Sequence, residues 1–138
     1  MPARVEKLMG ESIALVTYYG HITLADAEAV IAQTATLLDD YGAPLYRVIC
    51  VDCEQEAHAS FDEVMMLTTL SSRRKRGSVT DPNVLTVLVG EHILIDLYVD
   101  AMRQEAFGGV DIPLFGAMDD ALVYVRAQIH MGGAAGVG

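Results

Sequence analysis

Residues 84–89 read VLTVLV and are followed by Gly90 and then, at residues 92–107, by HILIDLYVDAMRQEAF. The first segment is apolar on both faces of an extended chain, which is typical of a central parallel strand. The second has a wide apolar face at helical spacing and is followed by Gly108 and Gly109, which stop a helix. A buried strand that runs directly into a helix predicts an α/β layer fold.

The segments on either side continue this alternation of strand and helix. They predict the order β-β-α-β-α-β-α-β-α, in which a β-hairpin is followed by alternating helices and strands with right-handed crossovers. The predicted elements are hairpin strands at 4–9 and 12–19, a helix from Thr23 to residue 41, a buried strand at 47–52 (RVICVD), a helix capped by Ser60, the strand at 84–89, the helix at 92–107, a strand at 111–115 and a last helix that starts near Asp119.

Local signals fix the ends of several elements. Thr23 followed by Asp26, and Ser60 followed by Glu63, have the spacing of N-terminal capping boxes. Pro113 removes a backbone donor from the last strand, which predicts a position at the sheet edge. We predict one domain over residues 1–131 and a flexible Gly-rich tail at 132–138.

Composition excludes several classes of function. The chain has 138 residues, 52% of them hydrophobic, and a formal net charge of −10. Such acidity is unsuited to nucleic acid, which is bound through clustered Lys and Arg. The sequence has neither the long apolar run of a transmembrane helix nor the apolar stretch of a signal peptide, so we predict a cytoplasmic protein, with the membrane periphery as the alternative.

Five pieces of the sequence together resemble a known family. They are YYGHIT at 18–23, RVICVD at 47–52, SFDEV at 60–64, VLTVLVGEH at 84–92 and DIPLFGAMDDALVYV at 111–125. In this order they resemble the SpoIIAA-like family of the STAS domain superfamily, over about residues 5–129. The resemblance implies a four- to five-stranded mixed sheet with helices mainly on one side, and a role that is not enzymatic.

The resemblance also implies two different kinds of partner. Sigma-factor antagonists of the superfamily are switched by phosphorylation of a serine at the start of the second helix, in an Asp-Ser-Ser/Thr-Gly-Leu context. Here Asp52 matches the acidic residue and Ser60 falls near the serine, but the Gly-Leu pair is absent. The SpoIIAA-like branch is instead similar in shape to CRAL-TRIO lipid-binding domains, which implies apolar ligands and membrane surfaces.

The sequence contains no spacing that demands catalysis or metal binding. Cys50 and Cys53 form a C-x-x-C motif, but Cys50 falls inside a predicted strand rather than at a helix start, so we interpret both as structural. The four histidines are scattered and have no metal-ligand or triad spacing. We therefore predict no catalytic residue, no metal and no cofactor.

Two features carry our binding hypotheses. The helix at 92–107 has more apolar surface than one sheet can cover, so it contacts another helix, a second subunit, an apolar ligand or lipid. The basic run at 73–76 is either a solvated helix end or a site for an anion such as a lipid headgroup. The candidate ligand-binding residues are Met65, Met66, Ile95, Tyr98 and Met102, and the candidate anion-binding residues are Arg73, Arg74, Lys75 and Arg76.

From these features we predict a binding module without enzymatic activity. Our first hypothesis is that the module associates with an apolar ligand or an anionic membrane surface. We also predict that the protein forms a homodimer. The alternative is a signalling protein–protein interaction module of the anti-sigma-factor-antagonist type, with Ser60 and Asp52 as its phospho-switch. The sequence names neither the ligand nor the partner protein.

Overall fold

The computed structural model describes the backbone of residues 3–51 and 57–137 and the side chains of residues 3–51 and 57–131. Asp52 and Cys53, which carried two of the sequence-based predictions, lie outside these ranges. Within the described residues the elements are β1 (Ala3–Lys7), β2 (Ile13–Tyr18), α1 (Leu24–Tyr41), β3 (Leu45–Val51), α2 (Phe61–Ser71), β4 (Val84–Val89), α3 (Ile93–Arg103), a 3-10 helix (Glu105–Phe107), β5 (Leu114–Phe115) and α4 (Met118–Val137).

The five strands form one mixed sheet in the order β1-β2-β3-β4-β5. β1 is antiparallel to β2, and the remaining neighbours are parallel to one another. The hairpin followed by parallel crossovers confirms the predicted fold class.

The helices cover both faces of the sheet, three on one side and one on the other. On the first face, Val16, Ile49 and Leu88 pack with residues of α1 and α3, and α2 packs in turn on these two helices. On the second face, Val48 and Val87 pack against α4. The prediction of helices mainly on one side is confirmed. Because helices cover both faces of the sheet, β3 and β4 are apolar at every position except Arg47 and Thr86.

Both predicted capping boxes are present. In each, the hydroxyl oxygen accepts a hydrogen bond from a backbone N–H three residues later, over 3.3 Å at Thr23 and 3.1 Å at Ser60. The carboxylates of Asp26 and Glu63 accept the reciprocal backbone bonds, both at 2.8 Å. These bonds satisfy donors that a helix start otherwise leaves without partners, and they fix where α1 and α2 begin.

The ends of the later elements differ from the prediction. α3 stops at Arg103, because Gln104 leaves helical geometry (ψ 138°) and the chain continues as a 3-10 turn rather than as helix to residue 107. β5 is shorter than predicted, but it does lie at the sheet edge, where the Pro113 carbonyl accepts from the Leu88 N–H.

Two further boundaries concern predicted binding and tail segments. The basic run is not a helix end, because α2 stops at Ser71 and residues 73–76 lie in the loop that follows. The backbone of α4 continues to Val137, through most of the segment that we predicted as a tail, and the flexibility of that segment stays a prediction.

Candidate functional site

A cavity of about 140 Å³ lies between the sheet and the layer formed by α1, α2 and α3. β3 forms part of its floor, because Arg47, Ile49 and Val51 occupy alternate positions and therefore face the same side of the sheet. The wall is mostly apolar and includes Ile22, Val30, Val64, Leu67, Leu88 and Ile95. A concave apolar cavity with a few polar groups is the usual form of a small-molecule site.

Arg47 is the charged group of this cavity and is only 1% exposed. Its Nη1 donates to the Gly77 carbonyl oxygen at 2.5 Å and to Thr34 Oγ1 at 3.1 Å, and its Nη2 donates to Thr86 Oγ1 at 3.1 Å. Its Nε has no hydrogen-bond partner within the described part of the chain. Burial lowers the pKa of Arg47, since the charged form loses its hydration.

Tyr18, Tyr98 and Ser71 add hydroxyl groups to the lining. The Tyr98 hydroxyl and Ser71 Oγ are 2.5 Å apart, so one donates to the other. Burial raises the pKa of Tyr18 and of Tyr98, so both phenols stay protonated at neutral pH. Among the residues that the structure describes, the lining therefore presents hydroxyl groups, one guanidinium and the imidazoles of His58 and His92, and it includes no carboxylate.

The exposed part of the lining lies at the carboxyl ends of the parallel strands. His58 and His92 are exposed members of it. His92 Nδ1 caps α3 by accepting from the Leu94 N–H at 3.1 Å. The His58 ring stacks on His21, with 5.1 Å between ring centroids. Ligands of open α/β sheets bind at this end of the strands.

Comparisons with known proteins place this architecture. No family model and no curated protein matches the sequence. Among solved structures, an uncharacterized protein of the DUF3478 family with a SpoIIAA-like fold, from Shewanella loihica PV-4, is similar with a TM-score of 0.54 and 14% identity, over 88% of this chain and 90% of that one. An anti-sigma factor antagonist from Mycobacterium paratuberculosis has a TM-score of 0.50 and 19% identity, over 90% of this chain and 92% of the other. This chain has a SpoIIAA-like fold.

Within the SpoIIAA-like fold, the predicted ligand residues do not all meet. Ile95 and Tyr98 line the cavity. Met102 is fully buried in the core and does not belong to the lining, while Met65 is half-buried and Met66 is 51% exposed on α2. Two of the five predicted residues therefore line the cavity, and ligand binding by any of the five stays a prediction.

The predicted anion-binding residues lie elsewhere on the surface. All four side chains of the run at 73–76 are exposed, and none lines the cavity. Arg76 Nη2 contacts Asp39 Oδ1 of α1 at 2.6 Å, so one of the four charges already has an acidic neighbour. An anion site at this run stays a prediction.

Sequence reasoning missed Arg47, the residue that gives the cavity its charge. The available signal was the lone cation in the apolar run LYRVICV of β3. Such a residue is rarely buried unless it is paired, so its position in a central strand already indicates a special environment.

The remaining sequence-based predictions concern a membrane-spanning helix, a metal site, and the positions of Cys50 and Ser60. No helix in the described ranges has the length and apolarity needed to cross a membrane. The described side chains include no group of three or more metal-ligating residues placed to hold an ion. Cys50 is half-buried in β3 against the α4 side of the sheet, and Ser60 is exposed at the start of α2.

Proposed function

We propose that this protein is a signalling interaction module of the anti-sigma-factor-antagonist type and that its partner is an anti-sigma factor. The observation that carries the proposal is the similarity to an anti-sigma factor antagonist over 90% of this chain and 92% of that one. Since the identity is 19%, the shared feature is the fold, and further support has to come from the surface of this chain.

The surface at the start of α2 and α3 suits a protein partner. Phe61, the first residue of α2, is 57% exposed, and Ile93, the first residue of α3, is 76% exposed. These helices pack on each other, and each presents a large apolar side chain to solvent at its amino end. Exposed aromatic and aliphatic side chains of this kind favour a protein interface, where they act as anchors.

The charge of the same surface favours a basic partner. Asp62 and Glu63 lie in the first turn of α2, and the chain as a whole carries a net charge of −10. A partner with a positive patch would associate faster by electrostatic steering, and this effect weakens with added salt.

Ser60 offers a means of switching this surface. Its hydroxyl is bound in the capping box with Glu63, whose Oε1 lies 2.8 Å from the Ser60 backbone nitrogen. A phosphoryl group would add about two negative charges beside that carboxylate and compete with it for the helix N–H groups. Phosphorylation of Ser60 would thus displace Glu63 and change the docking surface.

Site-specific cross-linking in native cells tests the partner. A photoreactive amino acid replaces Phe61 in one strain and, as control, Val123 in another; Val123 is 70% exposed on α4, across the sheet. We expect an adduct with an anti-sigma factor from position 61 and none from position 123. Identical adducts from both positions, or no anti-sigma factor from position 61, would contradict the proposal.

A matched pair of variants tests the switch with the partner so identified. Ser60→Asp and Ser60→Asn both retain a good N-cap, but only the first adds charge. We expect Ser60→Asp to weaken binding by about tenfold and Ser60→Asn by less than about twofold, because only the added carboxylate repels Glu63 and displaces it from the start of α2. Equal affinities, or a phosphopeptide map of the native protein without phosphate on Ser60, would contradict the switch.

A further inference from the structure

Arg47 is a buried cation whose three hydrogen-bond acceptors are all neutral. They are the Thr34 and Thr86 hydroxyls and the Gly77 carbonyl oxygen. Among the residues that the structure describes, no carboxylate forms an ion pair with it. A buried charge is costly unless it is both paired and hydrogen-bonded, and Arg47 fulfils only part of this requirement.

Asp81 is the carboxylate that interacts electrostatically with Arg47, but its hydrogen bonds are made to other groups. Asp81 is buried, and its two carboxylate oxygens accept from the backbone N–H groups of Gly77, at 2.7 Å, and Asn83, at 2.9 Å. These bonds fix Asp81 in the loop before β4. It therefore stabilises the charge of Arg47 from a distance and leaves the Nε–H of Arg47 without an acceptor.

Arg47 is buried at the end of the lining that lies away from the exposed His58 and His92. It is four residues before Val51 on β3, which corresponds to about 13 Å along the strand. The wall between these two residues is formed by apolar side chains such as Ile49, Leu88 and Ile95. An occupant that contacts both Arg47 and this wall would therefore need a polar end and an apolar body.

We propose that this cavity binds a small monocarboxylic acid, whose carboxylate accepts from Arg47 Nε and whose apolar body lies between the sheet and α3. The cavity volume of about 140 Å³ is close to that of a protein cavity of about 150 Å³ that binds one benzene molecule, so the body has about six to eight carbon atoms. The carboxylate end of this site is buried at Arg47, whereas the proposed partner surface is exposed at Phe61 and Ile93, and neither proposal depends on the other.

The charge of the site selects a monoanion. One guanidinium balances one negative charge, and a charge-assisted hydrogen bond is stronger than a neutral one. A phosphate dianion would leave a charge uncompensated in an apolar wall, which is costly. A single water molecule could accept from Nε but would leave the cation without a counter-charge, and this is the outcome that the experiment must distinguish.

Titration of the ¹⁵N-labelled protein with three probes tests the proposal. Benzoate carries the ring and the charge, benzamide carries the ring alone, and acetate carries the charge alone. We expect benzoate to bind with a Kd of about 1 mM or tighter and at least about tenfold more tightly than either control. The amide shifts should centre on residues near Arg47, such as Ile49 and Gly77. Equal affinity for benzamide, or no saturable shift with benzoate, would overturn the proposal.

A matched pair of substitutions on α1 locates the site while keeping Arg47. Replacing Arg47 itself would leave three hydrogen-bond acceptors without their donor. Ala27 lines the cavity, whereas Ala32 is exposed on the same helix. We expect Ala27→Leu to weaken benzoate binding by about tenfold by filling the cavity, and Ala32→Leu to leave it unchanged. Unchanged affinity in a folded Ala27→Leu protein would place the binding elsewhere and overturn the proposal.

Discussion

Glu63 is a carboxylate near the surface whose two oxygens are both engaged by the fold. Oε1 accepts from the Ser60 backbone N–H at 2.8 Å, and Oε2 lies 2.6 Å from His21 Nε2. The hydrogen bond from the Ser60 backbone N–H lowers the pKa of Glu63 most, and the contact with His21 lowers it further. Together they bring this pKa to about 2. The charged form is favoured because both partners donate hydrogen bonds to the carboxylate.

The lowered pKa of Glu63 predicts a specific dependence of stability on pH. A carboxyl group whose pKa is lower in the folded state contributes stability above its ordinary value of 4.5 and loses it as the pH falls towards 2. We therefore expect the difference in unfolding free energy between the native protein and Glu63→Gln to become smaller as the pH falls from 4.5 to about 2. Urea titrations across this range measure it, and a constant difference would contradict the prediction.

Nuclear magnetic resonance titration of the Glu63 carboxyl carbon checks the cause directly. His21→Gln should raise the midpoint while leaving it below 4.5, because the larger contribution comes from the Ser60 backbone N–H. A midpoint at 4.5 in this variant would assign the whole shift to His21 instead.

The contrast between Glu63 and Arg47 shows what a sequence reveals about single residues. The capping role of Glu63 follows from its spacing to Ser60, which is local information. Arg47 depends on groups from α1, β4 and the loop after α2, and these are far apart in sequence. The lone cation in the apolar strand β3 marks Arg47 as unusual, but no local pattern contains its three partners, so its surroundings could not be predicted.

At the scale of elements, the loop after α2 is held against α1 at one glycine. Gly77 has a φ of +86°, and a Cβ at this position would meet the carbonyl oxygen of Ile31 and the backbone nitrogen of Ala35. Its carbonyl oxygen also accepts from Arg47, and its N–H donates to Asp81. The absence of a side chain thus allows the loop to approach α1 and to complete the surroundings of the cavity.

A pair of glycine substitutions tests this close approach. Gly10, in the β1–β2 turn, has a similar φ of +75°, but a Cβ there would meet nothing within 4 Å. We expect Gly10→Ala to cost about 1 kcal/mol from backbone strain alone, and Gly77→Ala to cost roughly 2–4 kcal/mol because overpacking adds to that strain. Denaturant unfolding measures both. Equal losses would mean that α1 and the loop separate easily.

Element starts were predicted better than element ends. Thr23 and Ser60 mark the first residues of two helices through side chains that bond within one turn. The end of α3 follows instead from the fold-back of the chain, in which the Val110 N–H donates to the Met102 carbonyl oxygen. That bond is tertiary in origin, and the apolar pattern alone continued the helix to residue 107.

At the scale of the whole molecule, the net charge of −10 opposes compaction. We expect the melting temperature to rise by a few degrees as NaCl is increased from about 10 mM to about 500 mM, because salt screens this repulsion. Calorimetry measures the change. A double variant, Asp40→Asn with Glu105→Gln, removes two exposed negative charges and should respond less. A melting temperature that falls with salt would show that ion pairs outweigh the repulsion.

The overall architecture was predictable because strand and helix alternate with clear apolar patterns, as in VLTVLV of β4. The homodimer, lipid and membrane contacts that the sequence also suggested stay predictions. The apolar excess of α3 is largely accounted for inside the chain, since Ile95, Val99 and Met102 are buried. Ile93 remains exposed, but the apolar area of one side chain is too small to identify a partner by itself.

The sheet order β1-β2-β3-β4-β5 has a consequence for how the chain is made. Each strand after β1 pairs with the one immediately before it, so its partner is already synthesised when it leaves the ribosome. The hairpin of β1 and β2 comes first, and each later strand with its crossover helix adds to an existing edge. Growth in one direction avoids inserting a late strand between earlier ones, and it lets the domain assemble during translation.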